Sequence, residues 1–103
     1  MSGLTKQERM ARKDPLSQTY AAMLGANLRR LRKERNLSQG RLGLMMGTQH
    51  PRISDIERGR VVIGFDDVAK LCRALEVDPA DLIDLPSITL SDHPLPPERH
   101  ARP

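Results

Sequence analysis

From Leu16 onward, apolar side chains return at three- and four-residue steps: Leu16, Tyr20, Met23, Leu24, Leu28 and Leu31, with Asn27 on the same face. Arg29, Arg30, Arg32 and Lys33 mostly face elsewhere. This is the 3.6-residue period of a helix with one buried stripe. Asp14 followed by Pro15 makes a cap and first-turn start, although the period alone allows the helix to begin anywhere from Asp14 to Ala21. Its end is expected near Arg35 and Asn36. A shorter pattern follows, with Ser38 as N-cap, Leu42, Met45 and Met46 on one face, and Gly47 as the stop, which predicts a helix of about two turns.

A third pattern opens after Thr48. With Gln49 as cap, His50, Pro51 and Arg52 fill the first turn, where a proline's missing N–H costs little because first-turn amides have no intrahelical acceptor. Ile53 and Ile56 then face inward, Ser54, Asp55 and Arg58 outward, and Gly59 ends the helix. Two short helices joined by a three- to four-residue turn form a helix-turn-helix. Gly40 and Gly43 each cost the second helix about 1 kcal/mol relative to Ala. Gly43 lies midway along the apolar face, so its cost predicts another backbone crossing there. For Gly40 the sequence supplies no reason.

Farther on, Gly64 caps a helix with Asp66 and Asp67 in its first turn, a favourable place for negative charge. Phe65, Val68, Leu71, Cys72 and Leu75 are expected to supply its core face. Asp78 and Pro79 open a short final helix through Leu82 and Ile83.

The chain has 103 residues, the size of one domain, and its aromatic content is 2%. With apolar residues drawn mostly from Leu, Ile, Val, Met and Ala, the fold class is all-α. Residues 1–35 carry nine basic and three acidic side chains, a balance of +6, and residues 36–60 carry four and two, a balance of +2. Residues 61–85 reverse the sign with two basic and six acidic, a balance of −4. A basic half and an acidic half suit a polyanion bound on one side, while solvated helix faces give the same pattern.

The stretches LGANLRRLRKERNLSQ, ISDIERGR and VAKLCRALEVDPADLI, with the spacing of Leu42, Gly43, Gly47, Ile53 and Ile56 between them, resemble the Cro/repressor-type (XRE class) helix-turn-helix transcription regulators. The resemblance covers about residues 24–85 without an insertion. It implies a five-helix, lambda-repressor-like DNA-binding domain at residues 14–85, with its motif at residues 38–58. It also implies that the third helix inserts its N-terminal part into the major groove of double-stranded DNA.

By position, the resemblance assigns base readout to His50, Pro51, Arg52, Ser54 and Asp55. Arg52 is the leading candidate, because a guanidinium can donate two bonds to guanine O6 and N7. The competing role for Arg52 is a pair with Asp55 or with a phosphate. Phosphate contacts fall to Gln39, Thr48, Gln49, Arg58 and Arg60. Arg32 and Glu57 stand where the family commonly carries an ion pair between the first and third helices. One such unit reads only a few base pairs, so a homodimer on a palindromic operator is expected, with Leu82, Ile83 and Leu85 at the interface. The first helix, extended back through Leu16 and Tyr20, is an alternative interface.

Residues 1–13 read as a flexible basic arm, and residues 86–103 as a Pro-rich, disordered tail. His93 and His100 in that tail lack Cys partners at ligand spacing, so no metal or other cofactor is expected. The single cysteine, Cys72, sits in an apolar stripe and behaves as a small hydrophobe. No nucleophile–base arrangement, phosphate loop or carboxylate pair marks an enzyme. No apolar run approaches the roughly 18 residues of a membrane span, and charges stand where a signal peptide needs an apolar region, so a cytoplasmic protein is expected. A second reading is an antitoxin or accessory module whose main partner is another protein held through the tails. A toxin-sized neighbouring gene would favour it.

Overall fold

The starts and stops written into the sequence set the helices. In the computed structural model, which describes residues 14–83, the order is α1 (Pro15–Glu34), α2 (Gln39–Met45), α3 (His50–Glu57), α4 (Phe65–Leu75) and α5 (Pro79–Leu82), with no strand among the described residues. The expected arm (1–13), the tail (86–103) and Leu85 lie outside the described residues.

Asp14 Oδ2 accepts from the Ser17 amide at 2.8 Å, and Pro15 follows as the first helical residue, so α1 starts at the earliest point its period allows. Ser38 Oγ accepts from the Arg41 amide at 2.9 Å. Gln49 takes the extended cap position before α3, and Pro51 falls in the first turn without a break. Asp81 Oδ2 accepts from the Asp78 amide at 3.0 Å at the start of α5. Gly47 and Gly59 end α2 and α3 at φ 71° and 70°, a left-handed turn that costs a glycine nothing.

One core joins all five helices. Leu24, Leu28 and Leu31 of α1 meet Leu42 of α2, Ile53 and Ile56 of α3, Val68, Leu71 and Leu75 of α4, and Leu82 of α5, with Val61 and Ile63 from the α3–α4 loop. Polar groups tie the periphery to this core. Tyr20 donates its hydroxyl to the Ile63 carbonyl at 3.2 Å, and burial, then the nearby Asp67 carboxylate, push its pKa above the ordinary tyrosine value. Asn27 spends its place in the apolar stripe on a 2.8 Å bond from Nδ2 to the Leu82 carbonyl, which anchors α5 to α1. Arg35 donates through Nε to the Leu75 carbonyl at 2.6 Å and through Nη1 to the Leu31 carbonyl at 3.1 Å, so one guanidinium serves the last turns of α4 and α1.

Three expectations need correction. Phe65 is 86% exposed and not in the core. Helical side chains lean toward the N-terminus, so at the first position of α4 the ring projects past the helix end instead of over the core. Met45 is also exposed, because α3 crosses α2 over Leu42, Gly43 and Met46, leaving the last-turn side chain outside. Leu82, expected at a dimer interface, is 0% exposed and belongs to the core of its own chain, while Ile83 is half-buried against that core.

Candidate nucleic-acid interface

The pose of α3 is set by two places where backbones touch. A Cβ built on Gly43 would stand 3.2 Å from the Thr48 carbonyl oxygen and from the Gln49 carbonyl carbon, so the α2–α3 turn folds directly onto α2. A Cβ on Gly25 would meet the Ile56 carbonyl oxygen and stand 2.6 Å from that of Glu57, so α1 runs against the last turn of α3. Around Gly40 the only atom near such a Cβ is Ser38 Oγ at 3.9 Å, and packing supplies no reason for that glycine.

A buried ion pair fixes the same corner. Arg32 donates from Nε to Glu57 Oε2 at 2.6 Å and from Nη2 to Glu57 Oε1 at 3.1 Å, and its Nη1 reaches the Leu37 carbonyl at 2.6 Å. The side chains are 10% and 3% exposed. Gln39 Nε2 donates to Glu57 Oε1 at 3.0 Å. One carboxylate at the end of α3 therefore holds a side chain of α1 and one of α2. At this burial the bidentate geometry matters, because a lone charge here would be strongly unfavourable.

On the outer side, Gln49, His50 and Pro51 at the start of α3 are exposed, as are Arg58 and Arg60 just beyond its end, while Thr48 and Ser54 are half-covered. These side chains, with the amide-bearing start of α2, make a surface that can donate hydrogen bonds and carries two cations. Among the described residues no cluster of His, Cys, Asp or Glu could hold a metal ion, and no helix is long and apolar enough to cross a membrane.

Residues 23–85 match the family model described as a helix-turn-helix domain. The chain belongs to the helix-turn-helix domain family. This is a family of DNA-binding transcription regulators and not of enzymes. A relative, the control protein C.BamHI of Bacillus amyloliquefaciens, is 36% identical over 67 residues, which cover 64% of this chain and 83% of that one. Among solved structures, the restriction-modification controller protein C.AhdI from Aeromonas hydrophila superposes with a TM-score of 0.61 at 29% identity, covering 64% of this chain and 96% of its own. The clp gene regulator ClgR from C. glutamicum superposes at 0.62 with 27% identity, covering 69% and 95%.

In this helix-turn-helix domain two residues assigned to base readout stand differently from the expectation. Asp55 does not face outward: it is 7% exposed, because the chain beyond Gly59 doubles back over it. The Arg60 amide donates to the Asp55 carbonyl at 2.9 Å, and the Arg60 Nη1 lies 3.7 Å from the Asp55 carboxylate. Arg52 does not point into open solvent, its side chain being 25% exposed. Its Nη2 donates to Asp67 Oδ2 at 3.2 Å, in the first turn of α4. Asp67 is thus a participant that the helix-turn-helix pattern did not reveal, since its sequence signal was only that of a favourable first-turn acid.

Proposed function

We propose that the protein binds duplex DNA as a homodimer, with the start of α3 in the major groove and the ends of the motif on the phosphates. The observation that carries this reading is the exposed run Gln49, His50 and Pro51, held at fixed spacing from α2 by the Arg32–Glu57–Gln39 corner. His50 and Ser54 supply donors for base edges, and Pro51 supplies apolar contact such as a thymine methyl accepts. Thr48, Gln49, Arg58 and Arg60 take phosphates, as does the Gln39 end of α2, and they fix register without carrying sequence information. Arg52 joins the base contacts once it leaves Asp67.

A dimer follows from the small footprint of one unit, and half-sites stand about one helical turn apart. Its interface uses the face around Ile83, without Leu82. The relatives differ in what they control, restriction–modification in one case and a clp gene in another. The target genes of this protein are therefore to be read from its own site. The test is selection of bound sequences from random duplex DNA, followed by affinity at several salt concentrations. A two-fold-symmetric site whose affinity falls steeply with salt supports the reading; enrichment of no site overturns it.

A further inference from the structure

The side chain of Arg52, at the third position of α3, is drawn back to α4, where Nη2 lies 3.2 Å from Asp67 Oδ2. The pair is 25% and 31% exposed and borders a cavity of about 190 Å³ between the α2–α3 turn and α4, beside Met46, Thr48, Ile56 and Lys70. Asp67 is not in the helix-turn-helix motif, and its neighbour Asp66 is exposed on the same turn.

We propose that Asp67 tunes the affinity of the DNA face: it holds Arg52 against α4 in the free protein, so that Arg52 reaches DNA only where a base repays the exchange, and binding there is weakened by the loss of the pair. This rests on the DNA reading of α3 given above. A partly exposed ion pair contributes up to about fivefold to an equilibrium. A bidentate guanidinium–guanine contact discriminates by about fivefold to a hundredfold. At a site with guanine in reach the exchange is favourable. On random DNA, where a single phosphate is the only reward, the pair competes on equal terms and Arg52 stays on Asp67. The loss of the pair is thus incurred at the guanine site and not on random DNA, so Asp67 lowers affinity for the right sequence more than for the wrong ones and keeps the protein's preference below what Arg52 alone would give.

The experiment compares wild type, Asp67→Asn, Asp66→Asn, Arg52→Ala and the Arg52→Ala/Asp67→Asn double variant of the full chain. Each is titrated with the selected site and with a random duplex of equal length, after thermal unfolding has established that each variant is folded. If Asp67→Asn does not fold, Asp67→Ser is read in its place. Asp67→Asn is expected to tighten binding to the selected site by up to about fivefold, as expected for releasing a pair that is broken there, and to random duplex by less than twofold beyond the factor seen with Asp66→Asn. Asp66→Asn should move both by one common factor. In the Arg52→Ala background, Asp67→Asn should do no more than Asp66→Asn does. Equal factors for Asp67→Asn on both duplexes, or an effect that persists without Arg52, would overturn the proposal while leaving the DNA reading intact. Wild-type protein with no salt-dependent preference for any sequence overturns both.

Discussion

Gly25 of α1 lies against the backbone of Glu57 at the end of α3, so close that a Cβ would stand 2.6 Å from the Glu57 carbonyl oxygen. A carbonyl in a helix cannot swing aside as a side chain can. Gly25→Ala should therefore separate α1 from α3 and lower stability by about 3 kcal/mol, with a fall in Tm of roughly 10–20 °C. Gly40→Ala is the contrast: nothing lies within 3.4 Å of its Cβ, and helix propensity should raise stability by up to about 1 kcal/mol. Thermal unfolding followed by circular dichroism checks both, and equal effects would contradict the packing argument.

Glu57→Ala should cost about 3–5 kcal/mol, because it strands the Arg32 guanidinium at 10% side-chain exposure and removes the acceptor of Gln39. Arg32→Ala should cost a similar amount, and the double variant less than the two singles added together. Denaturant titration of the four proteins reads the coupling directly. Strict additivity would mean that the pair contributes nothing.

Leu82→Ala should lower stability by about 2–5 kcal/mol, in keeping with a side chain wholly inside the core. The loss should appear in denaturant unfolding at every protein concentration, whereas a residue serving only an interface would show it as dissociation. Phe65→Ser, at a ring 86% exposed, should leave the monomer's stability within about 0.5 kcal/mol.

Arg58→Ala and Arg60→Ala should each weaken DNA binding by a similar factor on all sequences and reduce the slope of log affinity against log salt by about 1. His50→Ala should weaken binding mainly to the selected site. A salt slope unchanged by either arginine would remove that residue from the phosphate contacts.

Much of the fold was legible because its boundaries are local chemistry. Asp14 with Pro15, Ser38, Gly47, Gly59 and Asp78 with Pro79 each mark a helix end through the backbone groups of their own neighbourhood. The cost of Gly43 also pointed to the backbone that crosses it. What escaped depends on residues distant in sequence. Gly25 touches α3 some thirty positions away, and a glycine in a helix announces only its cost. A partner of Arg52, Asp67, is 15 positions on, across a loop, where local spacing offers no pointer to it. Asp55 itself has an outward place on a helical projection, and only the path of the chain after Gly59 covers it. Phe65 keeps the apolar period but sits where the period has just begun and there is nothing yet beneath it.

Arg35 links two helix ends that are forty positions apart in the chain. The last turn of a helix is ordinarily the first part to fray, each end on its own. Here the guanidinium that binds the Leu75 carbonyl also binds the Leu31 carbonyl, and the amides of Leu37 and Val77 close the same two ends on Arg32 and Cys72. Opening either end breaks a bond that secures the other. In hydrogen exchange the amides of Leu37 and Val77 should accordingly share one opening free energy, and Arg35→Ala should split it into two.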